Sequence, residues 1–429
     1  MFVDSKTSRG RIVNTLKGTE QSRLREQSGR GQIAILGTVD TKREAIQFVK
    51  QTISDAGFRV VVIDTSVASK GSDAEYGPET VLSEIGVRFD DVSKFARGEA
   101  VEIMCKASRA FLTKLVLTGP VRGIIGIGGS GGTTICTYAM RELPYGVPKV
   151  VVSTLASGNT RWHVDTSDIV MIPSLLDISG LNPMIEMVLR NACYAVCGMV
   201  TAASSYQPSG RRVLATTMYG TTTAGVSNVR EGLEHKGCEV WTFHASGIGG
   251  KTMERLIRQG SIAGVIDMTL AEIGSHIVGG LHDAGAERMD AAGMVGLPQV
   301  VVPGAADTIV LPPKSEVPAQ FRGRTLSYHN PTMTTMRTTA EENREIARFI
   351  AKKLNASSGT VRVVLPLGGV SSLDRPTMLF YDPQANDALF SELKADLDSK
   401  IPIVESGSNI NDPEFADLVL GVATDLFGL

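Results

Sequence analysis

The sequence predicts an α/β protein built from two Rossmann-like parallel-sheet lobes with a cleft between them. Three observations carry this. Short β-branched runs alternate with stretches of helical period from Gln32 onward; the alternation starts afresh after Pro208-Ser-Gly210; and glycine supplies 45 of 429 residues while aromatics make up 5%. Alternating strand and helix signals mark βαβ units, whose strands pair in parallel because each crossover carries a helix across a sheet face. Glycine is usually about 7% of a chain, so the excess points to loops where backbone approaches something closely.

In the first lobe, strands are expected at Ile33–Leu36, Arg59–Ile63, Gly123–Ile127, Lys149–Val152 and Asp168–Ile172. Between the first two, Ile46, Val49, Ile53 and Ala56 recur at helical spacing and Gly57 supplies the stop. The second lobe opens in the same way, with strands at Arg212–Thr216, Glu239–Phe243, Gly264–Asp267, Gln299–Val302 and Val361–Leu365, and Ile401–Val404 at an edge. There, His329-Asn-Pro331 closes an extended segment, and a helix runs from Glu341 to Leu354. At about 150 residues per domain the length allows roughly three domains. It resolves better as a flexible extension (residues 1–31), a nucleotide-binding lobe (32–207) and a C-terminal lobe (208–429). The extension carries seven Lys/Arg against three acids and no apolar core, unlike a signal peptide.

Composition excludes several function classes. With 42% hydrophobic and 21% charged residues the chain is ordinary globular protein, and a net charge of -2 gives no pull toward nucleic acid or an anionic membrane. Five cysteines, an odd count without CxxC spacing, indicate a reducing compartment and hence the cytoplasm. Cys193 and Cys197 share one helix face and are expected in the core. The longest uncharged stretch, Asn191–Gly210, is too polar for a span of about 20 apolar residues.

Open parallel sheets bind ligands beyond the carboxyl ends of their strands, so the loops there are the place to look. Gly128-Gly129-Ser130-Gly131-Gly132-Thr133 stands between a strand and a helix expected to begin near Thr133. Its amides and the positive helix end suit phosphate or carboxylate; close helix–sheet packing would also require glycine. The same run satisfies G-x-S-x-G, which would make Ser130 a hydrolase nucleophile with partners such as Asp307 and His329. Gly37, Thr38, Asp40, Thr41 and Lys42 follow the first strand. Asp40 there suits a helix N-cap, but capping leaves the threonines and the lysine as phosphate donors. Asp64, Ser157 and Gly158 complete this set.

In the second lobe, Ala245–Thr252 resembles a P-loop with alanine in place of its first glycine. His244, Glu272, His329 and Arg337 are ionisable groups on or near strand ends, suited to proton transfer and to clamping an acidic substrate. Their spacing is too diffuse to specify a metal site.

At these loops the chain resembles the family of the tomato tobamovirus-resistance ATP-binding protein and its uncharacterised bacterial relatives. The similar stretches are Gly37–Lys42, Gly126–Thr133, Lys149–Gly158, Thr166–Asp168 and Pro173–Gly180, then Phe243–Gly247, Pro303–Ala305, His329–Pro331, Met336–Thr339, Pro366–Ser371 and Asn409–Asp412. The resemblance implies two Rossmann-like subdomains, ATP as cofactor with Mg2+ as its counter-ion, and self-association as a homodimer or larger assembly. It supplies no reaction for the bacterial members. Lys251 stands where many relatives are expected to carry arginine, which weakens a strict P-loop role. The expectation is thus a cytoplasmic protein that holds ATP on lobe one and acts on a small acid or sugar acid at the cleft. A regulatory module that binds without turnover is the alternative, and a Ser130 hydrolase a third reading.

Overall fold

The computed structural model describes residues 31–69, 73–203 and 209–429. The chain divides into two compact units between Pro208 and Ser209. Apart from Gly31, the expected N-terminal extension lies outside the described residues.

The first unit runs β1 (Gln32–Gly37), α1 (Val39–Asp55), β2 (Arg59–Asp64), α2 (Pro78–Ser83), α3 (Phe89–Val92), α4 (Arg97–Thr118), β3 (Val121–Gly128), α5 (Ser130–Arg141), β4 (Lys149–Ser153), α6 (Arg161–Val164), β5 (Val170–Pro173) and α7 (Pro183–Ala203). All five strands are parallel, in the order β2-β1-β3-β4-β5. Side chains alternate across a strand, and here both faces are covered. Ala34 and Leu36 pack with Leu112 and Ile135 on one side. Ile33 and Ile35 pack with Val49, Ile53, Leu189 and Val196 on the other. A strand dry on both faces reads as a continuous apolar run, which is why Ile33–Leu36 stood out in the sequence. Cys193 and Cys197 lie in the second of these cores, where burial pushes their thiols up to about 12 and about 11.

The second unit runs β6 (Val213–Met218), α8 (Thr223–His235), β7 (Glu239–His244), α9 (Ile248–Arg258), β8 (Gly264–Asp267), α10 (Ala271–Val278), α11 (Asp290–Val295), β9 (Gln299–Val301), β10 (Thr308–Leu311), β11 (Leu326–Asn330), β12 (Met333–Arg337), α12 (Ala340–Asn355), β13 (Val361–Pro366), α13 (Pro383–Asp396), β14 (Ile403–Ser406) and α14 (Pro413–Phe427). Six strands form a parallel sheet ordered β14-β13-β9-β8-β6-β7. Between β9 and β13 the chain leaves this sheet to form a three-stranded antiparallel one, β10-β12-β11. The sequence showed only an extended segment here, because strands this short and threonine-rich lack a clear apolar alternation. Ile309, Leu311, Val317, Phe321 and Met336 give this excursion its own small core.

Each parallel sheet reverses its winding once. The chain steps from β1 outward to β2 and then crosses back to β3; β6, β7 and β8 repeat the move. Such switch points open a crevice between diverging connections at the carboxyl edge. Among the described residues no helix is long and apolar enough to cross a membrane.

Candidate functional site

The crevice at the β1/β3 switch point of the first unit holds a cavity of about 850 Å³, within the range of about 300–1,000 Å³ usual for small-molecule sites. The end of β1 contributes Thr38, Asp40, Thr41 and Lys42 to it. The β3–α5 turn contributes Gly129, Ser130, Gly131 and Gly132. Thr154 and Ser157 follow β4, and Ser174, Leu175, Leu176 and Asp177 follow β5. Residues far apart in sequence meet here because parallel strands deliver all their carboxyl ends to one edge.

Helix α5 begins at Ser130, earlier than the expected Thr133, with Gly129 as its N-cap and no capping side chain. The Thr133 amide returns to the Gly129 carbonyl at 2.8 Å. The amides of Ser130, Gly131 and Gly132 meet no acceptor among the described residues, and they carry the positive end of the helix. A Cβ at Gly129, Gly131 or Gly132 would find its nearest neighbours 4.0, 3.8 and 3.5 Å away, whereas one at Gly128 would stand 2.4 Å from the Thr133 amide nitrogen. Gly128 is therefore required by the turn itself. The other three glycines leave room at the cavity. Thr133 is buried and its hydroxyl lies 2.7 Å from that of Ser153, tying the turn to β4.

The β1 turn is built differently. Helix α1 starts at Val39 with Thr38 at the N-cap position, so Asp40 does not cap it. The turn's amides are already engaged. Val39 donates to Asp64 Oδ1 at 3.1 Å, Asp40 to Ser66 Oγ at 3.2 Å, and Thr41 and Lys42 to the Thr38 carbonyl at 3.1 and 3.0 Å. What it presents is side chains: the Thr38 and Thr41 hydroxyls 2.8 Å apart, and Lys42 at a break in the helix (φ −128°, ψ 20°). Lys42 Nζ sits 3.8 Å from Asp177. Asp64 is buried beneath the turn and also accepts from Ser66, so it braces the loop rather than lining the cavity. Gly37 packs against Ile46, and Gly158 closes a turn onto the Leu155 carbonyl; neither lines the cavity, although Ser157 does.

A second wall escaped the sequence reading. Val67 and Ala68 after β2, with Val92, Ser93, Phe95, Arg97, Ala100 and Val101 around the start of α4, line the same cavity. Nothing in their order spells a motif; only an aromatic, Phe95, two residues before Arg97 in an aromatic-poor chain could have drawn notice.

The second unit treats its strand-end charges otherwise. The loop Ala245–Thr252 enters α9 as a P-loop would, but Glu272 Oε1 already accepts the Gly247 and Gly250 amides at 2.6 and 3.0 Å. Arg288 Nε donates to Glu272 Oε2 at 2.8 Å, and its Nη1 and Nη2 clamp Asp267 at 2.6 and 2.8 Å. Glu254 stands beside them, 3.6 Å from Arg288 Nη1. All four side chains are buried. Burial pushes the Glu254 carboxyl above its ordinary range against the pull of Arg288. Arg337 is likewise buried, donating to the Phe380 carbonyl and Asn386 Oδ1, both at 2.8 Å. Asp307 is buried and accepts from Ser371 at 2.6 Å. His244 is exposed and stacks on Tyr219 with ring centroids 5.6 Å apart. His329 belongs to β11, and its side chain lies outside the described residues. No histidine lines the first unit's cavity among the described residues. Nor does any group of three His, Cys, Asp or Glu side chains among them stand ready for a metal.

Comparison with known proteins gives the chain its relatives. The model of the Uncharacterised protein family (UPF0261) N-terminal domain matches residues 31–205, and that of the C-terminal domain matches residues 211–427. A UPF0261 protein of Clostridium tetani is 45% identical over 390 residues, covering 90% of this chain and 96% of that one. The ToMV resistance protein Tm-1 of Solanum lycopersicum is 38% identical over 418 residues, covering 92% of this chain and 55% of its own. The chain thus spans about half the length of the tomato relative. Among solved structures, a Streptomyces glycosyltransferase complexed with thymidine diphosphate aligns over 92% of this chain and 99% of its own at 13% identity. Its TM-score of 0.19 carries no argument. By both domain models and by identity over nine-tenths of its length, the chain belongs to the UPF0261 family.

Proposed function

We propose that the first unit binds a nucleotide, ATP in the first instance, with its phosphates on the β3–α5 turn. One observation carries this reading. The amides of Ser130, Gly131 and Gly132 meet no acceptor among the described residues, and they open on a cavity that also holds Lys42 and two threonine hydroxyls. Helix N-termini and glycine turns of this kind hold phosphate through amide donors and the helix dipole. ATP, rather than another nucleotide, is what the family resemblance implied.

Binding without turnover is the reading the side chains favour. Of the four residues expected to carry chemistry, Glu272 and Arg337 are held within the second unit. Among the described residues, the carboxylates that line the cavity are Asp40 and Asp177. Calorimetric titration of the full chain with ATP and Mg2+ should give a saturable isotherm. A flat trace with ATP, ADP and GTP would overturn the proposal. Phosphate release assayed on the same sample, alone and with a panel of small acids and sugar acids, decides between a regulatory module and an enzyme. Light scattering with and without ATP reads self-association.

A further inference from the structure

Resting on the nucleotide reading, we propose that the wall formed by residues 92–101 seats the base, and that Phe95 selects for a planar heteroaromatic group. The cavity has two sides. Its polar side lies at the β1/β3 switch point. Val67, Ala68, Val92, Phe95, Ala100 and Val101 line it from the connection between β2 and β3. A ligand filling both needs an anionic end and one with an apolar face, which inorganic phosphate and small acids lack as complete occupants.

The topology shows that this wall is an addition to the fold. In the second unit the chain passes from β7 to β8 through residues 245–263, with α9 alone between them. The corresponding passage of the first unit, from β2 to β3, takes residues 65–120 and holds α2 and α3 besides α4. The added helices α2 and α3 and the long body of α4 supply core through Val81, Leu82, Phe89, Met104 and Leu112. Phe95 does not join them. It is 49% exposed while lining the cavity, as are Leu175 and Leu176 across from it at 62% and 47%, and of these only the ring offers a flat face on which a planar group can stack. Arg97, two residues on, lines the same wall and makes no ion pair or hydrogen bond among the described residues. A guanidinium there can stack on a base face or reach its nearest phosphate.

The test compares ATP with tripolyphosphate, which has the phosphates and no base, on the full-length protein. Removing a stacking ring costs about 5- to 150-fold in affinity. Phe95→Ala should therefore weaken ATP by at least about fivefold, leave tripolyphosphate unchanged within about twofold, and be rescued by Phe95→Trp. Thermal melts of both variants should match the parent, since the ring is half exposed. If wild-type protein binds tripolyphosphate as tightly as ATP, or if Phe95→Ala binds ATP like the parent, the base does not sit here and this inference falls while the phosphate reading stands. If neither probe binds, the nucleotide reading itself has failed, and this one with it.

Discussion

Two glycine-rich turns, one after β3 and one after β7, share a strand–turn–helix setting and look alike in sequence, yet they end differently. In the turn after β7 the protein fills its own anion nest. Glu272 takes two amides, and Arg288 locks the carboxylate from behind. A Cβ at Gly249 would fall 1.8 Å from the His244 carbonyl oxygen, and one at Gly250 2.1 Å from Glu272 Oε2. In the turn after β3, Gly129, Gly131 and Gly132 have space around them and their side of the turn faces a cavity. Glycine spacing reports that backbone must come close to something. It does not report whether that partner belongs to the chain.

The comparison breaks first at Arg288. If the β7 turn is an internally satisfied nest, Arg288→Met leaves Asp267 and Glu272 buried without their counter-charge. Loss of one partner from a buried ion pair costs about 3–5 kcal/mol. Chemical denaturation should show that loss in the second unit, and ATP titration at low denaturant should show the first unit's affinity unchanged. A variant as stable as the parent would mean that the carboxylates are not held as charges.

The next effect sets the two turns directly against each other. Gly249→Ala meets backbone that cannot yield and should destabilise by about 1–3 kcal/mol, without a specific effect on nucleotide. Gly131→Ala replaces a helical glycine and should leave stability equal or higher by about 0.5–1 kcal/mol. It should nonetheless weaken ATP by about 10- to 100-fold, the worth of charge-assisted hydrogen bonds no longer reached. If both variants lose stability alone, the β3 turn is as structural as its counterpart.

A smaller effect belongs to Glu254, which accepts the Met289 and Ala291 amides, each at 2.7 Å, beside Arg288. Burial holds its carboxyl above the ordinary value of 4.5. The folded protein therefore keeps a proton that the unfolded chain has released, and stability declines as pH rises from about 4.5 through the raised value. That slope can reach about 1.4 kcal/mol per pH unit. Glu254→Gln should flatten it when denaturation midpoints are followed from acid to neutral pH. An unchanged profile would assign the slope to another group.

The two turns also show how much of the molecule was legible in its sequence. Placement of the parallel strands was legible, because Ile33–Leu36 and Val150–Val152 are apolar on both faces and buried sheets require that. The cavity's polar side was legible as well, since Thr38–Lys42 and Gly128–Thr133 follow strands whose carboxyl ends must converge. The start of α5 was not, because Ser-Gly-Gly carries no helical signal and only the packed sheet sets it at Ser130. Glu272 and Arg337 looked like catalytic groups because strand-end charges usually face a ligand. Their partners, Arg288 and Asn386, lie 16 and 49 residues away, too far for spacing to reveal. The wall around Phe95 belongs to an insertion whose meaning is purely spatial.

The smallest expected effect probes the cavity's own charge balance. Lys42 is nearly covered, with 13% of its side chain exposed, while Asp177 is 73% exposed and 3.8 Å away. An ion pair this long, with its carboxylate in water, contributes about 0–1 kcal/mol, and Asp177→Asn should leave the melting curve essentially unmoved. Its effect should appear in binding. Freed of its carboxylate, Lys42 turns to the phosphates in a cavity that has lost one negative charge, and ATP affinity should rise by about two- to fivefold at low salt. The gain should fade toward 1 M salt, where screening acts within about 3 Å, and vanish in a Lys42→Ala background if the two residues act as a pair. Weaker binding in place of the gain would give Asp177 the opposite role, as a carboxylate that supports the ligand's counter-ion. That outcome would move the cavity's anion site away from Lys42 and onto the amides of the β3 turn alone.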